Sequence, residues 1–440
     1  MLDGLRFWKR RKLGIEEANA AGNSLVTHNA LILPVARHQL CIGPDGNIRS
    51  VVFLHNSYYH FLFLASALRK RGWDALSVSL EHHNSPNAFF YHGEDVNLYA
   101  ADHAVFSDQL NRAVTETADR FRMVHFAGDG QMSFYPWGFD GDPRRTTVPK
   151  DFIRLREQGV KIAYSSGGCA DGIAQSSFRQ WSGGMCNKCT LQAKPEFCSD
   201  LRNLAWCHKR EMFCDINFAE TLPALDYQSG TRTFREPATM CLDAYLWRPD
   251  IDIPDRFRLE RAPGEILVYH GVGNYFAPHY AGNRDVKGTG AIIAAIDRLK
   301  LEGMPVRLVF VHDVPSRDVR YIQVQADIVV DQLNMGRYGA NARESMMLGR
   351  PVIGRIDPAE PSGVKPLVSL QECPIVDATE DTVYHVLKRL CGDADERHRL
   401  SDLSRAYAMK WHSADACAER YEKIYDAVMA GANPNTVAVI

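Results

Sequence analysis

A pattern of strand, helix, glycine and strand occurs in both halves of the sequence, and it constrains the fold more than any other feature. In the first half, an apolar strand at residues 51–54 precedes a helix at 58–70, which Gly72 ends before a second strand at 75–80. The same alternation continues at residues 102–121, 122–127, 151–158 and 160–164. Such alternation predicts a parallel sheet with right-handed crossover connections.

The second half repeats this alternation after a proline-containing linker at residues 248–255. Its predicted strands are 266–270, 306–311, 326–330 and 352–356, and its predicted helices are 289–301, 341–348 and 402–429. We therefore predict two doubly wound, Rossmann-like α/β domains that face each other across a cleft. The expected parts are an N-terminal domain at 1–245 with an irregular Cys-rich insertion at 165–220, a second domain at 246–410, and a C-terminal helix at 411–440 that can cross back to the first domain.

The composition excludes several classes of protein. The chain has 440 residues, 45% of them apolar, and a net charge of −2 that gives no general attraction to nucleic acid. No apolar run approaches the roughly 18–20 residues that span a bilayer, and the first residues lack the apolar core of a signal peptide. We expect a cytoplasmic protein. The basic, aromatic segment at residues 1–12 is either a solvated tail or a peripheral contact with the inner face of a membrane.

The most informative stretch is residues 327–353, where a strand is followed by a glycine-containing loop, a helix start and another strand. Gly336 and Gly339 allow the backbone to approach a ligand closely, and the amides at the helix start favour a phosphate group. Glu344 lies in the first turns of that helix. It can accept hydrogen bonds from sugar hydroxyls, or it can simply favour the positive end of the helix dipole.

A second stretch, residues 283–290, precedes a helix and contains Arg284 and Lys287 beside flexible glycines. Two cations in such a loop suit a pyrophosphate group. A solvated turn followed by a helix cap is the alternative interpretation of the same residues.

Together these stretches resemble the C-terminal half of the GT-B glycosyltransferases of glycosyltransferase family 4, over roughly residues 264–430. The family pattern is Lys-Gly-Thr before a helix, an Ala-Asp strand, a loop, and then Glu-Ala-Met-Ala-x-Gly-x-Pro-Val-Ile. Here residues 344–353 are Glu-Ser-Met-Met-Leu-Gly-Arg-Pro-Val-Ile. The resemblance implies a nucleotide-diphosphate sugar as donor, with Glu344 on the ribose and Lys287 with Arg284 on the diphosphate. The backbone amides that it places beside donor oxygens are those of Gly339, Ala340 and Asn341.

Two positions depart from the family pattern. Gly336 replaces the first of two family glutamates, which usually contacts the donor sugar, and Arg284 lies three residues before Lys287 where the family arginine lies five before. In the first half, His125 matches a family histidine at a strand end that faces the cleft. It can contact the transferred sugar or the acceptor, or it can be a structural histidine of the core.

The resemblance implies a retaining glycosyltransferase of the hexosyltransferase type, acting on a glycan, a lipid-linked intermediate or another hydroxyl acceptor. The candidate catalytic residues are then Lys287, Glu344 and His125, and the family uses no catalytic metal. Two rival interpretations keep the same donor site. One is a nucleotide-sugar epimerase, which needs no acceptor, and the other is a non-catalytic nucleotide-sugar-binding module, which the glycine at position 336 favours.

Eleven cysteines are an odd number, and six of them lie between Cys169 and Cys214. Cys186 and Cys189 have the spacing of one side of a tetrahedral zinc site, which Cys198 and Cys169 would complete. Cys214 is the other contender for the fourth ligand, and His208, beside Cys207, is a further alternative. A structural zinc would stiffen the expected insertion, whereas buried thiols, a disulfide or an iron–sulfur centre are the alternatives.

Overall fold

The computed structural model describes residues 31–34, 40–54, 58–85, 89–128, 132–135, 148–182, 185–219, 225–226, 232–234, 240–273, 285–312, 314–357 and 367–437. The basic segment at residues 1–12 and the predicted diphosphate ligand Arg284 lie outside these ranges.

Seven strands of the first half form one sheet in which every described pairing is parallel. The strands are β1 (Ser50–Leu54), β2 (Asp74–Ser79), β3 (Val96–Asn97), β4 (Met123–Ala127), β5 (Lys161–Ser165), β6 (Ile216–Phe218) and β7 (Thr233–Phe234), in the spatial order β3-β2-β1-β4-β5-β6-β7. The helices between them are α1 (His60–Lys70), α2 (His103–Arg120), α3 (Lys150–Glu157), α4 (Gln175–Ser182), α5 (Met185–Lys188) and α6 (Asp200–Phe213). β1 is buried along its whole length, as expected for an apolar strand covered on both faces.

Five strands of the second half form a separate parallel sheet. They are β8 (Ile266–Gly271), β9 (Val306–Val311), β10 (Ile328–Val330), β11 (Val352–Gly354) and β12 (Val376–Asp377), in the order β12-β11-β10-β8-β9. The helices are α7 (Thr289–Leu301), α8 (Ser316–Gln323), α9 (Ala340–Met347), α10 (Val368–Gln371), α11 (Val383–Gly392), α12 (Ala394–His412) and α13 (Ala414–Met429). The two predicted parallel α/β halves are thereby confirmed.

The segment 165–220 differs from its prediction. Instead of an irregular Cys-rich insertion, it contains α4, α5 and α6, which lead from β5 to β6 of the same sheet. Ser199 caps α6 by accepting a hydrogen bond from the amide of Arg202, and Trp206 and Cys207 on that helix are buried. Three of the six cysteines in this segment, Cys186, Cys207 and Cys214, are buried as small apolar side chains.

The predicted helix at 402–429 is two helices, because Ser413 ends α12 and caps α13. α13 then packs against α1 of the first half. The contact includes an ion pair between Arg71 and Glu422 (Nη2–Oε1 2.9 Å) and a hydrogen bond between His60 and Tyr421 (Nε2–OH 3.2 Å). The residue bounds proposed for the domains stay a prediction.

Both sheets and their helices belong to one compact unit, Leu33–Ile440. Its largest apolar cluster includes residues of both halves, from Val51 in β1 to Val352 in β11. None of the described helices combines the length and the apolar character that a bilayer crossing requires.

Candidate functional site

Three elements of the second sheet bring Lys287 to the carboxyl ends of its strands. β8 ends at Gly271, Asp331 follows β10, and Lys287 precedes α7. The Lys287 ammonium (Nζ) donates to the carbonyl oxygen of Gly271 at 3.2 Å and lies 3.5 Å from Asp331 Oδ1. The Asp331 side chain is only 2% exposed, whereas that of Lys287 is 25% exposed. Gly271 and Asp331 therefore fix the Lys287 ammonium, and the partial exposure of this side chain leaves it accessible to a ligand.

The start of α9 lies beside this lysine, because both contact Asp331. The amide of Gly339 donates to Asp331 Oδ2 at 3.1 Å, and the side-chain amide of Asn341 donates to Gly271 O at 2.8 Å. The backbone amides of Ala340 and Asn341 make no hydrogen bond with any other described residue. Of the three backbone amides predicted to contact the donor, that of Gly339 is thus already bonded to Asp331. We call Lys287 and the amides of Ala340 and Asn341 the α9 anion site.

Glu344 lies deeper on α9 and is 3% exposed. Its carboxylate (Oε2) accepts from Gln323 Nε2 at 3.2 Å and contacts the Tyr59 hydroxyl of the first half. Burial raises the pKa of Glu344 to about 7, although Arg343, Gln323 and Tyr59 pull it down. In this conformation Tyr59 covers the carboxylate, so a ribose reaches it only after that side chain moves.

His125 lies in the core and not at the surface of a cleft. Its ring nitrogens bond the Tyr425 hydroxyl (Nδ1–OH 2.6 Å) and the Ser165 hydroxyl (Nε2–Oγ 2.9 Å), and the ring stacks on Phe218. Burial holds its pKa well below the usual value, so the ring is neutral at pH 7. This placement favours the structural alternative, because both ring nitrogens are already engaged, and the ligand contact stays a prediction.

Substituting His125 by alanine is expected to lower the free energy of unfolding by about 3 kcal/mol, since it empties a packed aromatic site. The affinity for nucleotide ligands should stay unchanged. Urea unfolding and ligand titration measure the two effects, and His398→Ala, at an exposed position of α12, is the control. A loss of affinity at unchanged stability would return His125 to the functional residues.

Gly336 occupies the position of the missing family glutamate, and its surroundings leave little room for a side chain. The residue has a positive φ of 74°, and a Cβ there would lie 3.1 Å from Asp357 Cβ and 3.3 Å from the Trp181 ring. The guanidinium of Arg337 lies over the same ring, 4.8 Å from its centroid. A glutamate at this position would strain the backbone and would require Trp181 or Asp357 to shift.

Gly336→Ala should therefore destabilise the protein by about 1–3 kcal/mol more than Gly303→Ala does. The two glycines share a positive φ, but a Cβ at Gly303 meets no atom within 4 Å. The difference between the two variants in urea unfolding isolates the contact with Trp181 and Asp357. Equal destabilisation would mean that only the backbone angle requires a glycine.

Three of the predicted zinc ligands lie close enough to the fourth, Cys169, to affect the pKa of its thiol. Burial raises the pKa of the Cys169 thiol to about 12, and the thiols of Cys198, Cys186 and Cys189 add to that rise. Within the described ranges, however, no group of three or more His, Cys, Asp or Glu side chains is arranged to hold a metal ion. The arrangement therefore does not support the predicted zinc site, which stays a prediction that metal analysis of the purified protein tests.

No family model and no curated protein matches the sequence. Among solved structures, sucrose-phosphate synthase from Thermosynechococcus elongatus matches with a TM-score of 0.52 at 13% identity, over 87% of this chain and 100% of that chain. The catalytic domain of starch synthase IV from Arabidopsis thaliana, bound to ADP and acarbose, has a TM-score of 0.49 at 11% identity, over 89% and 100% of the two chains. A putative UDP-N-acetylglucosamine 2-epimerase from Listeria monocytogenes has a TM-score of 0.45 at 11% identity, over 88% and 98%.

At 13% identity, the similarity to the synthase establishes a fold and not an activity. The two similarities with TM-scores below 0.5 are too distant to add to it. The narrower resemblance to glycosyltransferase family 4 stays a prediction. The chain has the GT-B fold, with two parallel α/β domains of seven and five strands.

Proposed function

We propose that the protein is a retaining glycosyltransferase that moves a sugar from a nucleotide-diphosphate donor to a hydroxyl of a glycan or a lipid-linked acceptor. The α9 anion site is the observation that supports this proposal most. It combines one ammonium with two backbone amides at a helix start that bond no described residue. These groups lie at the carboxyl ends of the strands, where open α/β sheets bind ligands.

The reaction separates the anomeric carbon of the sugar from the donor phosphate oxygen, which leaves with the bonding electron pair. Lys287 and the positive end of α9 stabilise the negative charge on the departing nucleoside diphosphate. The acceptor oxygen forms the new bond on the same face of the sugar, and its proton passes to the leaving phosphate oxygen. This step uses no protein nucleophile, because the proton and the leaving group are both handled by the donor phosphate. Asp331 is already engaged by Gly339 and Lys287.

Arg284 remains a proposed second cation on the diphosphate, and Glu344 a proposed ribose contact in a conformation where Tyr59 has moved. Both proposals come from the family resemblance. Glu344 also has a structural function in the present conformation, because it is the carboxylate beside the buried Arg343 guanidinium.

The test has two stages with distinct outcomes. Calorimetric titration with UDP, ADP, GDP and dTDP first establishes whether a nucleoside diphosphate binds. The corresponding nucleotide sugars are then incubated with and without a panel of glycan and lipid-linked acceptors. A sugar on the acceptor, with its anomeric configuration kept, supports the proposal. An altered sugar without acceptor would identify an epimerase, and binding without any turnover would identify a binding module.

A further inference from the structure

Lys188 of the first half reaches across to the second half. Its ammonium (Nζ) lies 2.5 and 2.6 Å from the two carboxylate oxygens of Glu380 and 3.7 Å from Asp285 Oδ2. Burial tends to raise the pKa of Glu380, but hydrogen bonds from Lys188 and Asn334 bring that pKa below its usual value. We call Lys188, Asp285 and Glu380 the Lys188 ion-pair cluster.

Both carboxylates of this cluster hold the loop that carries Lys287. The Asn334 side-chain amide (Nδ2) donates to Glu380 Oε1 at 2.9 Å and to Val286 O at 3.2 Å. Asp285 Oδ1 accepts from the Gly290 amide at 2.8 Å. The loop is therefore held before Lys287 by Asn334, which Glu380 orients, and after Lys287 by the bond from Gly290 to Asp285.

The neighbouring part of the Lys188 segment is anchored on the same side of the second half. Trp181 of α4 packs on Gly336 and under the Arg337 guanidinium, and Met335 packs against an apolar cluster that includes Phe178. Lys188 is thus the charged part of the surface with which α4 and α5 contact the second half. Its approach to Asp285 and Glu380 follows from the way α4 and α5 sit on the loop after β10.

We infer that Lys188 is a positioning residue for the α9 anion site and couples the contact between the two halves to the binding of a nucleoside diphosphate. With Lys188 in place, the negative charges of Asp285 and Glu380 are compensated and the Lys287 loop is fixed. When the halves part, two uncompensated carboxylates remain near the site and oppose a second anion. The ligand therefore favours the state in which Lys188 is engaged, and the inference depends on the proposed function for the identity of that ligand.

The test compares Lys188→Ala with Lys194→Ala, an exposed lysine of the same segment. At low ionic strength, Lys188→Ala should raise the dissociation constant of the nucleoside diphosphate that binds the wild type by roughly five- to tenfold, and the control should not. Added salt should shrink this difference, because screening weakens the repulsion.

Adding Glu380→Gln to Lys188→Ala should recover part of the affinity, since it removes one uncompensated charge. Wild-type affinity in Lys188→Ala, or no recovery in the double variant, would overturn the inference.

Hydrogen exchange of the unliganded protein tests the same coupling without any ligand. The amides of Gly290 and Leu333, which bond Asp285 Oδ1 and Lys287 O, should exchange faster in Lys188→Ala than in the wild type or in Lys194→Ala. Unchanged exchange would overturn the inference. If no nucleoside diphosphate binds the wild type while these amides respond as expected, the proposed function fails and the positioning of the Lys287 loop by Lys188 stands.

Discussion

Lys287→Ala is expected to raise the dissociation constant of a nucleoside diphosphate by roughly 100-fold. A hydrogen bond from an ammonium to an anion contributes about 1.5–3 kcal/mol, so this one contact covers most of the effect. The substitution also leaves the Asp331 carboxylate, 2% exposed, without its cation beside the α9 anion site. The remaining negative charge then repels the ligand. Isothermal titration calorimetry measures the change directly.

Two further variants separate binding from folding in this experiment. Lys300→Ala removes an exposed lysine of α7 that pairs only loosely with Asp297 (3.8 Å), and it should bind like the wild type. Lys287→Ala should also lower the thermal stability, because it leaves a buried carboxylate uncompensated. Adding Asp331→Asn removes that carboxylate, so it should restore the stability but only a small part of the affinity, because the hydrogen bond from Lys287 is still missing. Full affinity in the Lys287→Ala protein would place the diphosphate elsewhere.

Glu344→Gln is expected to weaken nucleoside diphosphate binding at pH 8 and to remove part of its pH dependence. Burial raises the pKa of Glu344 to about 7, so the wild-type carboxyl is mostly protonated at pH 6 and ionised at pH 8. An ionised carboxylate accepts two ribose hydroxyls, whereas the glutamine offers one acceptor oxygen. The ratio of variant to wild-type dissociation constants should therefore rise roughly tenfold between pH 6 and pH 8.

The ratio is the informative quantity because the terminal phosphate of the ligand also titrates in this range, and that titration is common to both proteins. A ratio that stays near one at both pH values would show that Glu344 does not contact the ligand. Its remaining role would then be the one visible in the structure, beside Arg343 and under Tyr59.

Glu344→Gln should also change the pH dependence of the free energy of unfolding, in a direction that the pKa shift fixes. The folded-state pKa of Glu344 lies above the usual value of 4.5, so this group's contribution to stability is fully present below about pH 4.5 and is lost as the pH rises toward 7. The free energy of unfolding of Glu344→Gln, relative to the wild type, should thus increase from pH 5 to pH 8, by a total on the order of 3 kcal/mol. Urea unfolding at the two pH values measures the difference.

Local sequence patterns were sufficient to predict the two parallel sheets and the placement of Lys287 and Gly339 at a sheet edge. Continuous apolar runs such as β1 identify buried parallel strands, and their order places the following loops on one edge. Asp331 could have been found by the same rule, because it directly follows β10 and precedes the glycine loop. Its role is hard to predict from the sequence, because a carboxylate is an unexpected neighbour for a phosphate site.

Contacts between the halves could not be predicted, because they join residues far apart in the sequence. Tyr59 reaches Glu344, Trp181 closes the space over Gly336, and Lys188 pairs with Glu380. A single sequence contains no signal for such pairs. The interior position of His125 is a similar case, since the hydroxyl that engages its Nδ1 comes from Tyr425, at the far end of the chain.

The most direct test of the account is a crystal structure of the protein with the nucleoside diphosphate that binds it most tightly. We expect phosphate oxygens within hydrogen-bond distance of Lys287 Nζ and of the backbone amides of Ala340 and Asn341, with Asp331 still holding Gly339. A nucleotide bound elsewhere on the molecule, with the α9 anion site left unchanged, would contradict the central claim.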